Sequence, residues 1–395
     1  MNSNPDENLK RREKEKEKTG QNQITRRQLF AKSALAGGGL VAGGLLGGGL
    51  LGGSSAMAAD PVAAGPYPGD EAWRKAVADK VAGRTITIGF TPPAPSEFYD
   101  IIEHGAHSQM RTFSEWFGVK WKWETFFPGE HQDINDQVNT IQNWVTSKFD
   151  AVLVCTAGDF AAMQKVYESA AAKGTRVFQY NMPAELWPED QMKAICTIGY
   201  NNAMQAGYIA TEYIAQKLGG KGKLILIWGL PGHWSKSRLD GVNIALKKYP
   251  GLKIVAQQRG DYVRDKGLNA AQNLLQRDSD INAIYGENEE MALGASQAVS
   301  ALGLKAWDGK EGIVIIGADG LKSGYESIKQ NQLTATVSVG PVEQGRQSIQ
   351  TIFWNVVYGY VPPKVLDVRT LVVDKTNVEE PLAYVSWALG SPKVG

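Results

Sequence analysis

The sequence predicts an α/β protein of two doubly wound parallel-sheet lobes, on three observations. Its 395 residues are enough for two domains that each close a core. From residue 85 onward, short runs rich in β-branched residues alternate with longer segments of helical period, the pattern of parallel sheets covered by helices on both faces. The alternation runs through about two copies of one doubly wound unit, and no short-period repeat is visible.

A Pro/Gly-rich linker over 60–69 leads into a short helix expected over 71–82. Strands are then expected at 85–91, 119–125, 151–155, 176–180, 223–228, 252–257, 283–285 and 313–317, each short and bounded by Gly, Pro or charge. Helices are expected between them over 134–147, 160–173, 204–218, 238–247, 268–277 and 291–302.

Composition removes several classes of function. With 42 basic against 41 acidic side chains and 9% aromatics, the chain lacks the charge of an electrostatic nucleic-acid binder. Its 43% hydrophobic content suits a soluble globular protein, not a multispanning membrane protein. The two cysteines, Cys155 and Cys196, make neither a disulfide framework nor a four-thiolate zinc site. They are read as two buried thiols, with pairing in an oxidising compartment as the alternative. His104, His107, His131 and His233 do not form an H-E-x-x-H metal site, and no G-x-S-x-G elbow occurs. His104 and His107 are read as part of a solvated polar helix face. The glycines at 219, 220 and 222 precede a strand, where a phosphate loop must follow one, so they are read as a turn. No enzyme, cofactor or metal is expected.

The N-terminus reads as an export signal. Residues 1–33 carry nine basic and five acidic side chains, which leaves 33 basic against 36 acidic in the rest. Residues 34–53 carry no charge, and half of them are Gly. Thr25-Arg26-Arg27-Gln28-Leu29-Phe30 resembles the twin-arginine motif of bacterial signals that export folded proteins, and Ala56-Met57-Ala58 offers a small-residue cleavage site. Residues 1–58 are expected to be removed through the twin-arginine translocation machinery, placing the protein in the periplasm. Retention as a membrane anchor is the alternative, disfavoured because each Gly costs a helix about 1 kcal/mol relative to Ala. A lipoprotein is excluded, because no Cys lies near the cleavage site.

In doubly wound sheets, ligands bind beyond the carboxyl ends of the strands. The turns there carry Ser96, Phe98 and Tyr99, then Asp159, Asn181, and in the second half Trp234, Lys236, Arg238, Tyr262, Asn288 and Asp319. Groups that donate and accept hydrogen bonds, interleaved with aromatic faces, suit a polyhydroxylated ligand. Each position also has a plainer reading. Phe98 and Tyr99 fit a core, Asp159, Asn181 and Asn288 fit helix N-caps, Arg238 and Asp240 fit a surface ion pair, and Trp234 fits a loop anchor. Their joint placement after successive strands is what singles them out.

From about residue 84 to 387 the chain resembles the type I periplasmic sugar-binding proteins, the ribose- and galactose-binding group of ABC importers. The resemblance rests on Asp265-Lys266-Gly267-Leu268-Asn269, Gln272-Asn273-Leu274-Leu275, Glu287-Asn288-Glu289-Glu290-Met291-Ala292-Leu293-Gly294-Ala295, Ile316-Gly317-Ala318-Asp319-Gly320 and Gln332-Leu333-Thr334-Ala335-Thr336-Val337, in the family's order and spacing. It implies two lobes joined by three crossovers and closing on a ligand. It places one lobe at 84–198 plus 341–369, the other at 199–340 plus 370–390, and the linker and short helix at 59–83. It also implies that Phe98 and Tyr99 pack on a sugar opposite Tyr262, and that Asn288 and Asp319 bind hydroxyls. Asn181 stands where the ribose-binding member has Asp, and Ser96 where it has Asn. The family's Arg after the fifth strand aligns with Lys236, or with Arg238 if a gap is allowed. Met182 and Val339 replace an Arg and a Gln of ribose binders, which argues against ribose and for a less polar or larger ligand.

The resemblance therefore implies a monomeric periplasmic protein that captures a sugar or polyol and hands it to an ABC permease. A sensor presenting its closed form to a chemoreceptor or kinase is the alternative. A transcription regulator of the LacI type shares the core, but residues 1–60 offer no helix-turn-helix.

Overall fold

Ile86, Ile88 and Phe90 alternate along Thr85–Thr91 and are all removed from solvent, so this strand, β1, anchors one sheet. The computed structural model describes residues 70–129, 133–157, 160–182 and 193–395; the expected signal over 1–58 and Asp159 lie outside them. In the first lobe β1 is joined by β2 (Lys120–Thr125), β3 (Ala151–Val154), β4 (Arg176–Tyr180), β5 (Cys196–Ile198) and β11 (Val365–Leu366). These strands are parallel, in the order β11-β5-β4-β3-β1-β2. The second lobe holds β6 (Lys221–Trp228), β7 (Gly251–Arg259), β8 (Ala283–Gly286), β9 (Val314–Asp319), β10 (Ala335–Ser338) and β12 (Leu371–Asp374), in the order β12-β10-β9-β8-β6-β7, with β12 antiparallel to β10. Strand order reverses between β1 and β3 and between β6 and β8, so the turns after these strands frame the crevices where ligands sit.

The helices are α1 (Asp70–Val81), α2 (Glu97–Phe117), α3 (Ile134–Thr146), α4 (Gln164–Ala172), α5 (Asn202–Lys217), α6 (His233–Lys248), α7 (Arg264–Arg277), α8 (Glu289–Ala301), α9 (Lys322–Lys329), α10 (Pro341–Tyr358) and α11 (Glu379–Leu389). β1 and β4 match their expected bounds, whereas α6 begins at His233, not at 238. Ser96 caps α2 by accepting from the Tyr99 amide, and Gly118 ends it in the left-handed conformation.

Reciprocal glycines bring helices into backbone contact. A Cβ on Gly105 would lie 2.4 Å from the Val342 carbonyl oxygen, and one on Gly345 2.0 Å from that of Ile102, so α2 and α10 touch. Gly207 and Gly241 do the same for α5 and α6, at 1.9 Å from the Arg238 oxygen and 2.1 Å from the Met204 oxygen. This second contact fixes the backbone that carries Arg238.

The chain crosses between the sheets three times: from β5 into α5, from β10 into α10, and from β11 to β12. The crossovers are tied to one another. The Val339 carbonyl accepts from Asn202 Nδ2 at 2.7 Å and Gln344 Nε2 at 3.0 Å, while Asn201 Nδ2 donates to Asp367 at 3.0 Å. Beyond the last crossover, α11 touches both lobes: Lys329 of α9 pairs with Glu379, and the Arg346 guanidinium of α10 lies over the Trp387 ring.

His107 corrects the expectation of a solvated face. It is buried, its Nδ1 accepts from the Val394 amide at 3.1 Å, and its ring packs 5.1 Å from that of Trp123. The C-terminal segment covers this side of α2, with Lys393 Nζ 2.7 Å from the buried Glu103 carboxylate. Cys155 and Cys196 are free buried thiols, as expected, and burial pushes both up to about 12. Among the described residues, no helix is long and apolar enough to cross a membrane.

Candidate functional site

The turns after the strands of both lobes converge on a cavity of about 410 Å³, within the range of small-molecule sites. Ser96, Phe98, Tyr99 and Asn181 line it from the first lobe, and Trp234, Arg238, Tyr262, Asn288 and Asp319 from the second. Nine of the residues singled out in the sequence thus meet in one place.

Lys236 is a correction. It is absent from the lining and forms an ion pair with Asp240 at 2.6 Å, its side chain 60% exposed. Helical phase is the reason: two residues along α6 turn the chain by about 200°. Trp234 and Arg238, one turn apart, therefore face the cavity, while Lys236 and Asp240 face outward. The surface pairing of Arg238 with Asp240 is overturned for the same reason.

Arg238 is buried, with its guanidinium 5.6 Å above the Tyr262 ring centre and 3.6 Å from Asp319 Oδ1. Its Nε donor has no hydrogen-bond partner among the described residues. Burial pushes the Asp319 carboxyl up to about 7, against the attraction of Arg238. Behind this wall, Glu287 accepts from Ser235 Oγ at 2.6 Å and the Gly229 amide at 2.8 Å. The Ser235 hydroxyl also lies 3.0 Å from the Tyr262 hydroxyl. Burial raises Glu287 to about 7 as well.

Tyr262 is presented by a short left-handed turn: Asp261 and Tyr262 have φ of 53° and 64°, a conformation that costs a non-glycine residue about 1–2 kcal/mol each. Asp261 holds the turn through Arg259 and through Lys266 Nζ at 2.6 Å. Gly229, at the end of β6, leaves room for the ring, since a Cβ there would fall 2.0 Å from Tyr262 Cζ.

Asn288 serves both readings. It caps α8 through the Met291 amide at 3.0 Å, lines the cavity, and sends Nδ2 to the Tyr262 carbonyl at 3.2 Å. Glu289 is fully buried and braces the turn that carries Asp319, accepting from the amides of Gly320 and Leu321 at 2.8 and 2.9 Å and from Thr336. Burial lifts it to about 8.

Met182 and Val339 are buried but absent from the lining. Met182 Sδ lies 3.3 Å from the Thr156 amide. The lining also includes residues that sequence reasoning passed over, among them Glu97, Arg264, Asp265 and Glu290. Arg264 and Glu290 form an ion pair at 2.8 Å. Hydrogen bonds span the cleft directly: Trp234 Nε1 donates to the Asn181 carbonyl at 2.9 Å, and Glu97 accepts from both the amide and the hydroxyl of Ser323.

Two α/β lobes wall one cavity from both sides, the architecture of a two-lobed periplasmic binding protein domain. The chain belongs to the family of the periplasmic binding protein domain, whose model matches residues 88–354. It is similar to the ribose import binding protein of Bacillus subtilis, with 35% identity over 211 residues, 53% of this chain and 64% of that protein. The match thus spans less than two thirds of that relative. It is also similar to a xylitol-binding protein of Mycolicibacterium smegmatis, 24% identical over 64% of this chain and 67% of that protein. The fold matches a periplasmic solute-binding protein of an ABC transporter from Actinobacillus succinogenes, solved with D-allose, at a TM-score of 0.67 and 24% identity over 75% of this chain and 99% of that one.

Proposed function

We propose that this protein captures a sugar or polyol in the periplasm and delivers it to the permease of an ABC importer. The activity is binding with lobe closure, not catalysis, and the first 58 residues direct export by the twin-arginine route. One observation carries the reading: a cavity between two hinged lobes, with Phe98, Tyr99, Trp234 and Tyr262 as aromatic walls and Asn181, Arg238, Asn288 and Asp319 as converging polar groups. Aromatic faces pack against the C–H faces of a sugar ring, and the Arg238 guanidinium on the cavity wall supplies donors to its hydroxyls. Family membership and the ligands of the relatives support the same class.

A thermal-shift screen against pentoses, hexoses, pentitols, inositols and non-sugar solutes tests it. A ligand of the native state alone adds about 2.7 kcal/mol at 100 times its Kd. A sugar or polyol is expected to raise the melting temperature, and Asn288→Ala and Asp319→Ala to reduce that rise. A well-folded protein that responds to no member of the sugar panel contradicts the reading.

A further inference from the structure

Helix α9 begins at the cavity rim without a cap of its own. Its N-cap residue is Leu321, which makes no side-chain hydrogen bond, and its first turn holds no acidic residue. Within the second lobe, Glu289 satisfies the amides of Gly320 and Leu321. The amide of Ser323 is served from the opposite lobe: Glu97 Oε1 accepts it at 3.0 Å, and Glu97 Oε2 accepts the Ser323 hydroxyl at 2.6 Å. Glu97 is itself the first residue of α2, so one carboxylate stands at the positive ends of two helices that belong to different lobes.

We propose that Glu97 is a positioning residue for closure, supplying from the first lobe the N-cap that α9 of the second lobe lacks. Opening the hinge withdraws the carboxylate from Ser323 and leaves that amide to water, so closing completes a helix cap. The bias is built from protein groups alone and acts on every ligand equally. This deepens the binding reading above and rests on it.

The test measures the distance between lobes in the ligand-free full chain. Nitroxide labels go on Gln142→Cys in α3 and Asn273→Cys in α7, both exposed, while native Cys155 and Cys196 are buried. With Glu97 present, a minor short-distance population is expected beside the open one. Glu97→Ala moves it to longer distances, and Glu97→Gln, which keeps an acceptor but no charge, falls between them. Circular dichroism checks that the variants are folded. Distributions for Glu97→Ala and the parent that coincide overturn the proposal.

With any sugar that scores in the thermal screen, Glu97→Ala should weaken every binding member by the same factor, about five- to tenfold, and leave their rank order unchanged. A reordered panel would make Glu97 a ligand contact and overturn the proposal. If no sugar binds, the distance measurement still decides the role of Glu97, and it is the sugar reading that fails.

Discussion

Replacing Arg238 with methionine is expected to weaken sugar binding between about thirtyfold and a few thousandfold, the largest loss of any single substitution in the cavity. Arg238 is buried beside Asp319 and over Tyr262, and burial holds Asp319 and Glu287 high even with the guanidinium present. Truncating one partner of a buried charge pair costs about 2–5 kcal/mol, and each 1.4 kcal/mol is tenfold in affinity. Methionine keeps the aliphatic bulk, so the loss reports the charge and its donors. Folding should suffer less, because Asp319 and Glu287 respond by holding their protons to still higher pH. Calorimetric titration of a sugar found by the screen checks this, and an affinity within a fewfold of the parent's would contradict it.

The second large effect is in pH. Asp319, Glu287 and Glu289 are raised by burial to about 7, 7 and 8. In the unfolded chain these carboxyls release their protons near pH 4, so between about pH 4 and 8 the folded protein holds protons that the unfolded chain has lost. Stability from these groups is therefore fully present below the unfolded values and is lost as pH rises through the folded ones. One carboxyl moved from its ordinary value to about 7 corresponds to roughly 4 kcal/mol. Urea denaturation of the ligand-free protein at pH 5, 6.5 and 8 should show stability falling across the series. Glu289→Gln should flatten the fall by removing one of the three groups. Stability that rises with pH over this window would contradict the assignment.

Much of this fold was legible because its strands declare themselves. The Ile-rich run of β1 and the short run of β4 are bounded by charge and turn residues, and both fall where expected. α2 carries no clean helical period in the sequence. Its buried face carries Glu103, His107, Ser108, Gln109 and Thr112, polar groups that pack against α10, the C-terminal segment and β2 and blur the helical period. β5 and β11 are too short to leave a signature, and β11 belongs to the first sheet only because the chain returns to it from far along the sequence.

The site divides along the same line. Residues that follow a strand and act locally, such as Asn288 capping α8, could be read from the turns. The choice between Lys236 and Arg238 required the phase of α6, hidden by a first turn that resembles a loop. Glu97 was in plain view beside Phe98 and Tyr99, yet its partner Ser323 lies in the other lobe, and nothing local announces a cap supplied from that distance.

The central proposal is that one sugar or polyol is held by both lobes at once. Amide hydrogen exchange, with and without the sugar that scores in the thermal screen, tests this most directly. Protection is expected on both walls together, at 93–99 and 181 in the first lobe and at 234–238, 262–265, 288–291 and 319–323 in the second. Protection confined to one lobe, or appearing only away from these segments, would contradict a trap that closes on its ligand.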